Sequence, residues 1–83
     1  MSMTTDDLAD LARLRHLLAD GLARHLREGA GLSLNATAHA VGISRQTLTA
    51  WERGTFRPVR EREAALRYLA LLDRLMVGGR DAS

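Results

Sequence analysis

The sequence predicts an all-α fold: a compact helix bundle built on a helix-turn-helix, with a long C-terminal helix. Apolar residues recur every three or four positions along most of the chain, which is typical of amphipathic helices. Two serines, Ser33 and Ser44, stand where a helix N-cap is needed, and Gly42 between them suits a tight turn. At 83 residues, we expect the chain to form a single domain over residues 1–83, with a core of modest size.

The N-terminal region predicts a helix over about residues 6–28, because leucines repeat there at helical spacing. These leucines are Leu8, Leu11, Leu14, Leu18, Leu22 and Leu26. Thr4 or Thr5 is the expected N-cap. Gly21 is an alternative break point, in which case Asp20 would cap a second helix. The leading leucines need a partner, either the body of the domain or a second chain.

Two short helices are predicted in the middle of the chain, over about residues 34–41 and 45–53. Their inward faces are formed by Leu34, Thr37, Ala38, Val41, Ile43, Leu48 and Trp51. If the two large side chains of the second helix point inward, a turn of about 100° per residue places four others on the opposite side. We call these four residues the outer stripe: Gln46, Thr49, Ala50 and Arg53. The stripe has no acid and no large apolar residue, and Arg45 and Thr47 flank its N-terminal end.

Positive charge gathers around the second of these helices. Residues 43–62 contain five arginines and two glutamates, a balance of +3, whereas residues 1–20 contain four aspartates and two arginines, a balance of −2. All twelve basic residues are arginine, whose planar fork can bind phosphate or guanine at two points. A basic surface around an acid-free helix face favours nucleic acid as the partner.

Small, apolar and glycine residues in the middle of the chain follow a known order: Ala38, Val41, Gly42, Ile43, Leu48 and Trp51. Trp51 also begins the segment Trp51-Glu52-Arg53-Gly54, and Pro58 follows four residues after its glycine. This order resembles the lambda-repressor-like, or Cro-type (xenobiotic-response-element), family of helix-turn-helix DNA-binding proteins. The resemblance covers about residues 22–58. The chain departs from the family at Thr37, where the family has a larger apolar residue, and at Leu34, where it has a polar residue that reaches a phosphate.

The resemblance implies that residues 45–53 form a recognition helix, which lies in the major groove of double-stranded DNA. Arg45 is the best candidate for guanine and Gln46 for adenine, because their polar groups match those base edges. The predicted base contacts are Arg45, Gln46, Thr47, Thr49 and Ala50. The predicted phosphate contacts are Ser33, Asn35, Ser44, Arg53, Thr55 and Arg57. The family also pairs an arginine of its first helix with the glutamate of the recognition helix, which implies an ion pair between Arg27 and Glu52.

The C-terminal region predicts one helix over about residues 60–76, ended by Gly78 and Gly79. The family usually has two helices here, but no glycine, proline or cap residue interrupts this segment. Its apolar stripe is wider than a single core contact needs. We therefore expect it to cover the core and to provide the interface of a homodimer, with Leu69, Leu72, Leu75 and Met76 as the candidates.

Several classes of function are not expected. The chain has no cysteine, and its three histidines are too far apart for a helical ligand pair, so no metal site and no cofactor are predicted. No paired carboxylates or nucleophile–base set predicts an enzyme, and no small-molecule ligand is evident. No apolar run approaches the ~18 residues of a membrane span, and no secretory signal pattern is present. We expect a soluble, cytoplasmic protein associated with the nucleoid.

These observations favour a sequence-specific transcriptional regulator that binds double-stranded DNA, in the form of a small Cro-like repressor. A homodimer would bind a near-palindromic operator whose half-sites lie about 34 Å apart. A controller protein or an excision factor is also compatible with the sequence. The alternative from another class is a protein-interaction or antitoxin-like module that uses the helix-turn-helix as a scaffold.

Overall fold

The computed structural model of the chain describes residues 4–56 and 61–81. Within these residues the chain is all-α, as the sequence predicts, and forms five helices without a strand. The helices are α1 (Thr5–Ala19), α2 (Leu22–Gly29), α3 (Leu34–Val41), α4 (Arg45–Glu52) and α5 (Arg62–Asp81). Helices α3 and α4 form the helix-turn-helix.

The N-terminal leucines lie on two helices, because the chain breaks at Gly21. This glycine has a φ of +76°, a left-handed conformation that disfavours side chains with a Cβ. The single helix over residues 6–28 is therefore wrong, and so is Asp20 as the N-cap of α2. Asp20 is instead the C-cap of α1, where its amide donates to the carbonyl of His16 at 3.0 Å. At the start of α1, the hydroxyl of Thr4 accepts a hydrogen bond from the Asp7 amide at 3.0 Å.

Both helices of the helix-turn-helix begin at a serine cap. The hydroxyls of Ser33 and Ser44 each accept a backbone amide at 3.0 Å, so one of the orphan donors at each helix start is paired. The turn between the helices needs Gly42, whose φ is +84°. A Cβ there would also lie 3.0 Å from the guanidinium of Arg67 on α5, which donates to the carbonyl of Val41 at 3.0 Å.

The core lies between α1, α5 and the helix-turn-helix. Its buried apolar side chains are Leu11, Leu14, Leu18, Ala23, Ala38, Val41, Leu48, Trp51, Ala64, Ala65, Tyr68, Leu69 and Leu72. Helix α1 packs against α5, α2 and α4. The body of the domain covers Leu11, Leu14 and Leu18 of α1, whereas Leu8 remains 54% exposed.

Helix α5 differs from the predicted C-terminal helix in two ways. It continues through Gly78 and Gly79 to Asp81 instead of ending at the glycine pair. Leu69 and Leu72 are only 3% and 0% exposed, because α1 and α2 cover this side of α5. These two leucines belong to the core of their own chain and are therefore wrong as dimer contacts.

Candidate nucleic-acid interface

Helix α4 has one face in the core and the opposite face on the surface. Leu48 and Trp51 are 0% and 3% exposed, and they anchor the helix on its inner side. On the outer stripe, Gln46 and Arg53 are exposed, and Thr49 and Ala50 are half-buried. The eight residues of α4 give a stripe about 12 Å long at 1.5 Å per residue. Its small central side chains leave room for another surface to approach.

The outer stripe is the floor of a shallow concavity. The lining residues are Arg45, Gln46, Thr49, Ala50, Arg53 and Thr55. Thr55 reaches this surface because the chain turns back at Gly54, whose φ is +107°. The amide of Thr55 donates to the carbonyl of Ala50 at 2.8 Å, and that of Gly54 donates to Trp51 at 3.1 Å, as in a Schellman ending. The turn therefore keeps Thr55 beside the last turn of α4.

A second groove runs between α2, the start of α3 and α4, and we call it the α2–α3–α4 groove. It is lined by Arg24, Arg27, Glu28, Ser33, Leu34, Asn35, Arg45, Thr49, Glu52 and Arg53. Arg45, Thr49 and Arg53 line both concavities, so the two form one continuous surface. The structure thus brings the start of α3, with Ser33 and Asn35, next to the outer stripe.

The acids of the α2–α3–α4 groove are paired with arginines. Glu28 binds Arg24 at 3.1 Å, and Glu52 binds Arg27 at 2.8 Å. Within the described part of the chain, Arg45 and Arg53 have no carboxylate within ion-pair distance. The positive charge of the surface is therefore left at the two ends of the outer stripe, where an anion can approach it.

The Arg27–Glu52 pair that the resemblance implies is a buried network that also includes Tyr68. The side chains of Arg27 and Glu52 are 6% and 7% exposed. Arg27 donates from Nε and Nη2 to the two carboxylate oxygens of Glu52, at 2.8 and 2.9 Å. Its Nη1 donates to the carbonyl of Leu32 at 2.8 Å, and the Tyr68 hydroxyl donates to Oε2 of Glu52 at 2.8 Å. All three guanidinium nitrogens therefore have partners.

The network also shifts the pKa values of its members. Hydrogen bonds to Glu52 raise the pKa of Arg27 against the opposing effect of burial. Burial, together with the hydrogen bond to Glu52, raises the pKa of Tyr68 well above its ordinary value. Both shifts move ionisation further from neutral pH, where the network contains a charged arginine and a neutral phenol.

Comparison with protein families identifies a model described as a helix-turn-helix domain, which matches residues 21–81. The chain belongs to this helix-turn-helix domain family. The match is consistent with the resemblance to Cro-type proteins, and it indicates a DNA-binding regulator. No curated protein and no solved structure gives a match. Helix α1 lies before the matched residues.

Two predicted contacts of this helix-turn-helix domain lie away from the outer stripe. The Ser44 hydroxyl caps α4 and also hydrogen-bonds to the hydroxyl of Thr47 at 2.9 Å. Both residues line a different concavity, which they share with Gly42, Ile43 and the start of α5. Ser44 and Thr47 therefore border a second concavity at the N-terminal end of α4, next in the chain to Arg45 and Gln46. Arg57, the remaining predicted phosphate contact, lies outside the described residues.

No role was predicted for Arg24 and Glu28, although both line the α2–α3–α4 groove of the helix-turn-helix domain. Their side chains are 64% and 53% exposed. The sequence contained one indication of this: Arg24 and Arg27 lie three residues apart and therefore share one face of α2. That face is recognisable as part of a groove only when the crossing of α2 with α3 and α4 is known.

Other kinds of site receive little support. Among the described residues, no three histidine or acidic side chains come close enough to hold a metal ion. A search of the same residues finds no helix with the length and apolar character that crossing a membrane requires. The surface around α4 thus stands out as the candidate interface of the helix-turn-helix domain.

Proposed function

We propose that the protein is a sequence-specific transcriptional regulator that binds double-stranded DNA. In this proposal residues 1–83 act as one domain, and α4 is the recognition helix in the major groove. The observation that carries the proposal is the outer stripe, an acid-free helix face with Arg45 at one end and Arg53 at the other, neither of which has a carboxylate partner among the described residues. Major grooves admit a helix of this kind, and guanidinium groups suit both phosphates and guanine.

The first turn of α4 supplies the base contacts that discriminate most. Arg45 and Gln46 are both exposed there. The fork of Arg45 matches O6 and N7 of guanine, and the amide of Gln46 matches N6 and N7 of adenine. Thr49 and Ala50, further along the outer stripe, are short enough to let α4 approach and would contact thymine methyl groups.

Phosphate contacts surround the base contacts and set the register of the protein on the duplex. Ser33 and Asn35 lie at the start of α3, where backbone amides and the positive end of the helix dipole favour an anion. Arg53 and Thr55 would contact phosphates at the opposite end of α4. We add Arg24, because its guanidinium lines the same groove, and a nearby phosphate would compete with Glu28 for it.

The regulator is proposed to be a small Cro-like repressor that acts as a homodimer on a near-palindromic operator. With Leu69 and Leu72 inside the core, the candidates that remain at the dimer interface are Leu75 and Met76, which are half-buried. Val77 beside them is 58% exposed. To bind such an operator, the homodimer would need its two recognition helices about 34 Å apart, one turn of DNA. A protein with this partner acts where the DNA lies, in the cytoplasm at the nucleoid.

Selection of bound sites from random duplexes tests the proposal most directly. It yields the half-site, the spacing and the symmetry in one measurement. We expect two half-sites with centres about ten base pairs apart. A single asymmetric site would contradict the homodimer and leave DNA binding intact. If the purified protein retains no duplex even at low salt, the scaffold alternative replaces the regulator.

Substitutions on α4 then separate base contacts from phosphate contacts. Gln46→Ala should weaken binding to the selected operator by about 1–3 kcal/mol and relax the preference at one base pair. Arg53→Ala should weaken operator and random duplex alike and lower the salt slope by about one. Arg15→Ala removes the same charge from the exposed side of α1 and serves as the matched control. Equal losses for Gln46→Ala on operator and random DNA would contradict this assignment.

A further inference from the structure

Tyr68 is the single tyrosine of the chain, and its hydroxyl joins α5 to the end of α4. Its side chain is fully buried, at 0% exposure. We propose that Tyr68 is a positioning residue for DNA binding: its hydrogen bond to Glu52 fixes the recognition helix relative to the rest of the interface. This inference rests on the proposed function, because it describes how that surface is held in shape.

The position of Glu52 explains why the bond affects the interface. Glu52 is the last residue of α4, and the next residue, Arg53, lines both concavities. Oε2 of Glu52 accepts one donor from Arg27 on α2 and another from Tyr68 on α5. Through Leu32, Arg27 also holds the chain one residue before the Ser33 cap. The network therefore links the start of α3 to the end of α4, the two segments that are proposed to contact phosphates.

Tyr68 matters within this network because other links between α5 and α4 are few. Helix α5 packs mainly on α1, α2 and α3. The described links to α4 include the hydroxyl bond and the ring of Tyr68, which lies at 32° to the ring of Trp51 with centroids 6.3 Å apart. Because α5 also carries the proposed dimer residues, this hydroxyl is the point at which an assembled α5 would act on the recognition helix.

Tyr68→Phe tests this role cleanly. The variant keeps the ring beside Trp51, and it leaves both bonds between Arg27 and Glu52 and their charges unchanged. Only the hydrogen bond from Tyr68 on α5 to Glu52 is lost. Trp51 is the single tryptophan and lies on α4, so its fluorescence reports the position of that helix.

We would measure the dissociation constants of wild type and Tyr68→Phe for the selected operator and for a random duplex of equal length. The temperature is kept well below melting, and circular dichroism verifies that both proteins are folded. We expect Tyr68→Phe to bind the operator about three- to tenfold more weakly, which corresponds to the loss of one hydrogen bond. Random-duplex affinity should change less than about twofold, because phosphate attraction tolerates small shifts. The emission of Trp51 should also shift.

Two further variants separate positioning from stability. Asp73→Asn weakens a different bond of α5, the exposed pair with Arg13, and should leave operator affinity and Trp51 emission unchanged. Thr37→Val, which removes a buried hydroxyl without a partner among the described residues, should raise the melting temperature of Tyr68→Phe. We expect this double variant to regain stability without regaining operator affinity. If Tyr68→Phe alone is partly unfolded, the double variant replaces it in the binding measurements.

The outcomes are distinct. If Tyr68→Phe binds the operator as wild type does, or if Thr37→Val restores its affinity together with its stability, Tyr68 is only structural and the inference is overturned. If wild type itself retains neither duplex at low salt, the proposed function fails and the inference falls with it. Weaker operator binding at full folding, with random binding preserved, supports the inference.

Discussion

Replacing Glu52 with alanine should destabilise the fold far more than the loss of one surface charge. The substitution removes the acceptor of three hydrogen bonds, two from Arg27 and one from Tyr68. The guanidinium of Arg27, 6% exposed, would keep its charge with one hydrogen bond, to the carbonyl of Leu32, and with the exposed carboxylate of Glu28 at 3.9 Å. A buried charge left in this state is costly, because it has lost its hydration and gained little in return.

The expected cost is about 3–5 kcal/mol, the usual result of breaking a buried pair by removing one partner. At about 0.05–0.15 kcal/mol per residue, a domain of 83 residues is stable by roughly 4–12 kcal/mol. The substitution would therefore remove a large part of the total. For a domain of this size, each kcal/mol shifts the melting temperature by about 4–8 °C, so Glu52→Ala should melt at least ~12 °C below wild type.

Thermal and urea unfolding followed by circular dichroism measures this effect. Asp73→Asn is the matched control, because Asp73 also accepts two hydrogen bonds from one arginine, Arg13, at 2.8 and 3.0 Å. The two side chains are 48% and 39% exposed, so solvent screens the pair and its loss should cost only ~0–1 kcal/mol. If Glu52→Ala melts within about two degrees of wild type, the buried network does not clamp α2 to α4 and the reasoning is refuted.

Three further predictions concern the core, the turn and alkaline pH. Thr37→Val should stabilise the fold by about 1 kcal/mol in urea unfolding, because Thr37 is 1% exposed and its hydroxyl has no partner among the described residues; a lower urea midpoint would contradict this. Gly42→Ala should destabilise the fold by about 1–2 kcal/mol, because Gly42 has a positive φ and a Cβ there would contact Arg67. Gly29→Ala is the control: its Cβ meets no atom within 4 Å, so it should be neutral or slightly stabilising. Equal effects of the two substitutions would contradict the backbone strain at Gly42. Because the pKa of Tyr68 is raised in the folded state, stability should hold below pH ~10 and fall above it by up to about 1.4 kcal/mol per pH unit, as the unfolded phenol ionises. In Tyr68→Phe, the free energy of unfolding should no longer fall with pH in this range. If it still falls, the pH dependence belongs to another ionisable group.

Features that depend on a few neighbouring residues were accessible from the sequence. The caps at Ser33 and Ser44 and the turn at Gly42 follow from local chemistry, because a hydroxyl and a missing Cβ act on adjacent backbone. The outer stripe follows from helical periodicity once the inward position of Trp51 is accepted. The Arg27–Glu52 pair required the family resemblance, since nothing local relates two residues so far apart in sequence.

Features that depend on which helices meet were not accessible. Periodicity marked Leu69 and Leu72 as one apolar face of α5, but it could not tell whether that face packs on α1 or on a second chain. Asp20 and Gly21 are both acceptable helix boundaries, and the left-handed backbone at Gly21 decided between them. The groove residue Arg24 was missed for a similar reason, because a groove between three helices has no signature in the sequence of any one of them.

The packing of α1 on α5 has a consequence for how the chain is made. Arg13 and Asp73 are sixty positions apart, so α1 is stabilised by a helix that is synthesised much later. Until α5 has been synthesised, Leu11, Leu14 and Leu18 lack the part of their covering surface that α5 provides. We expect this late, long-range contact to slow folding and to leave an intermediate with exposed apolar surface during translation. Premature termination before α5 should therefore yield a fragment that aggregates or is degraded, and no shortened form of the protein would accumulate.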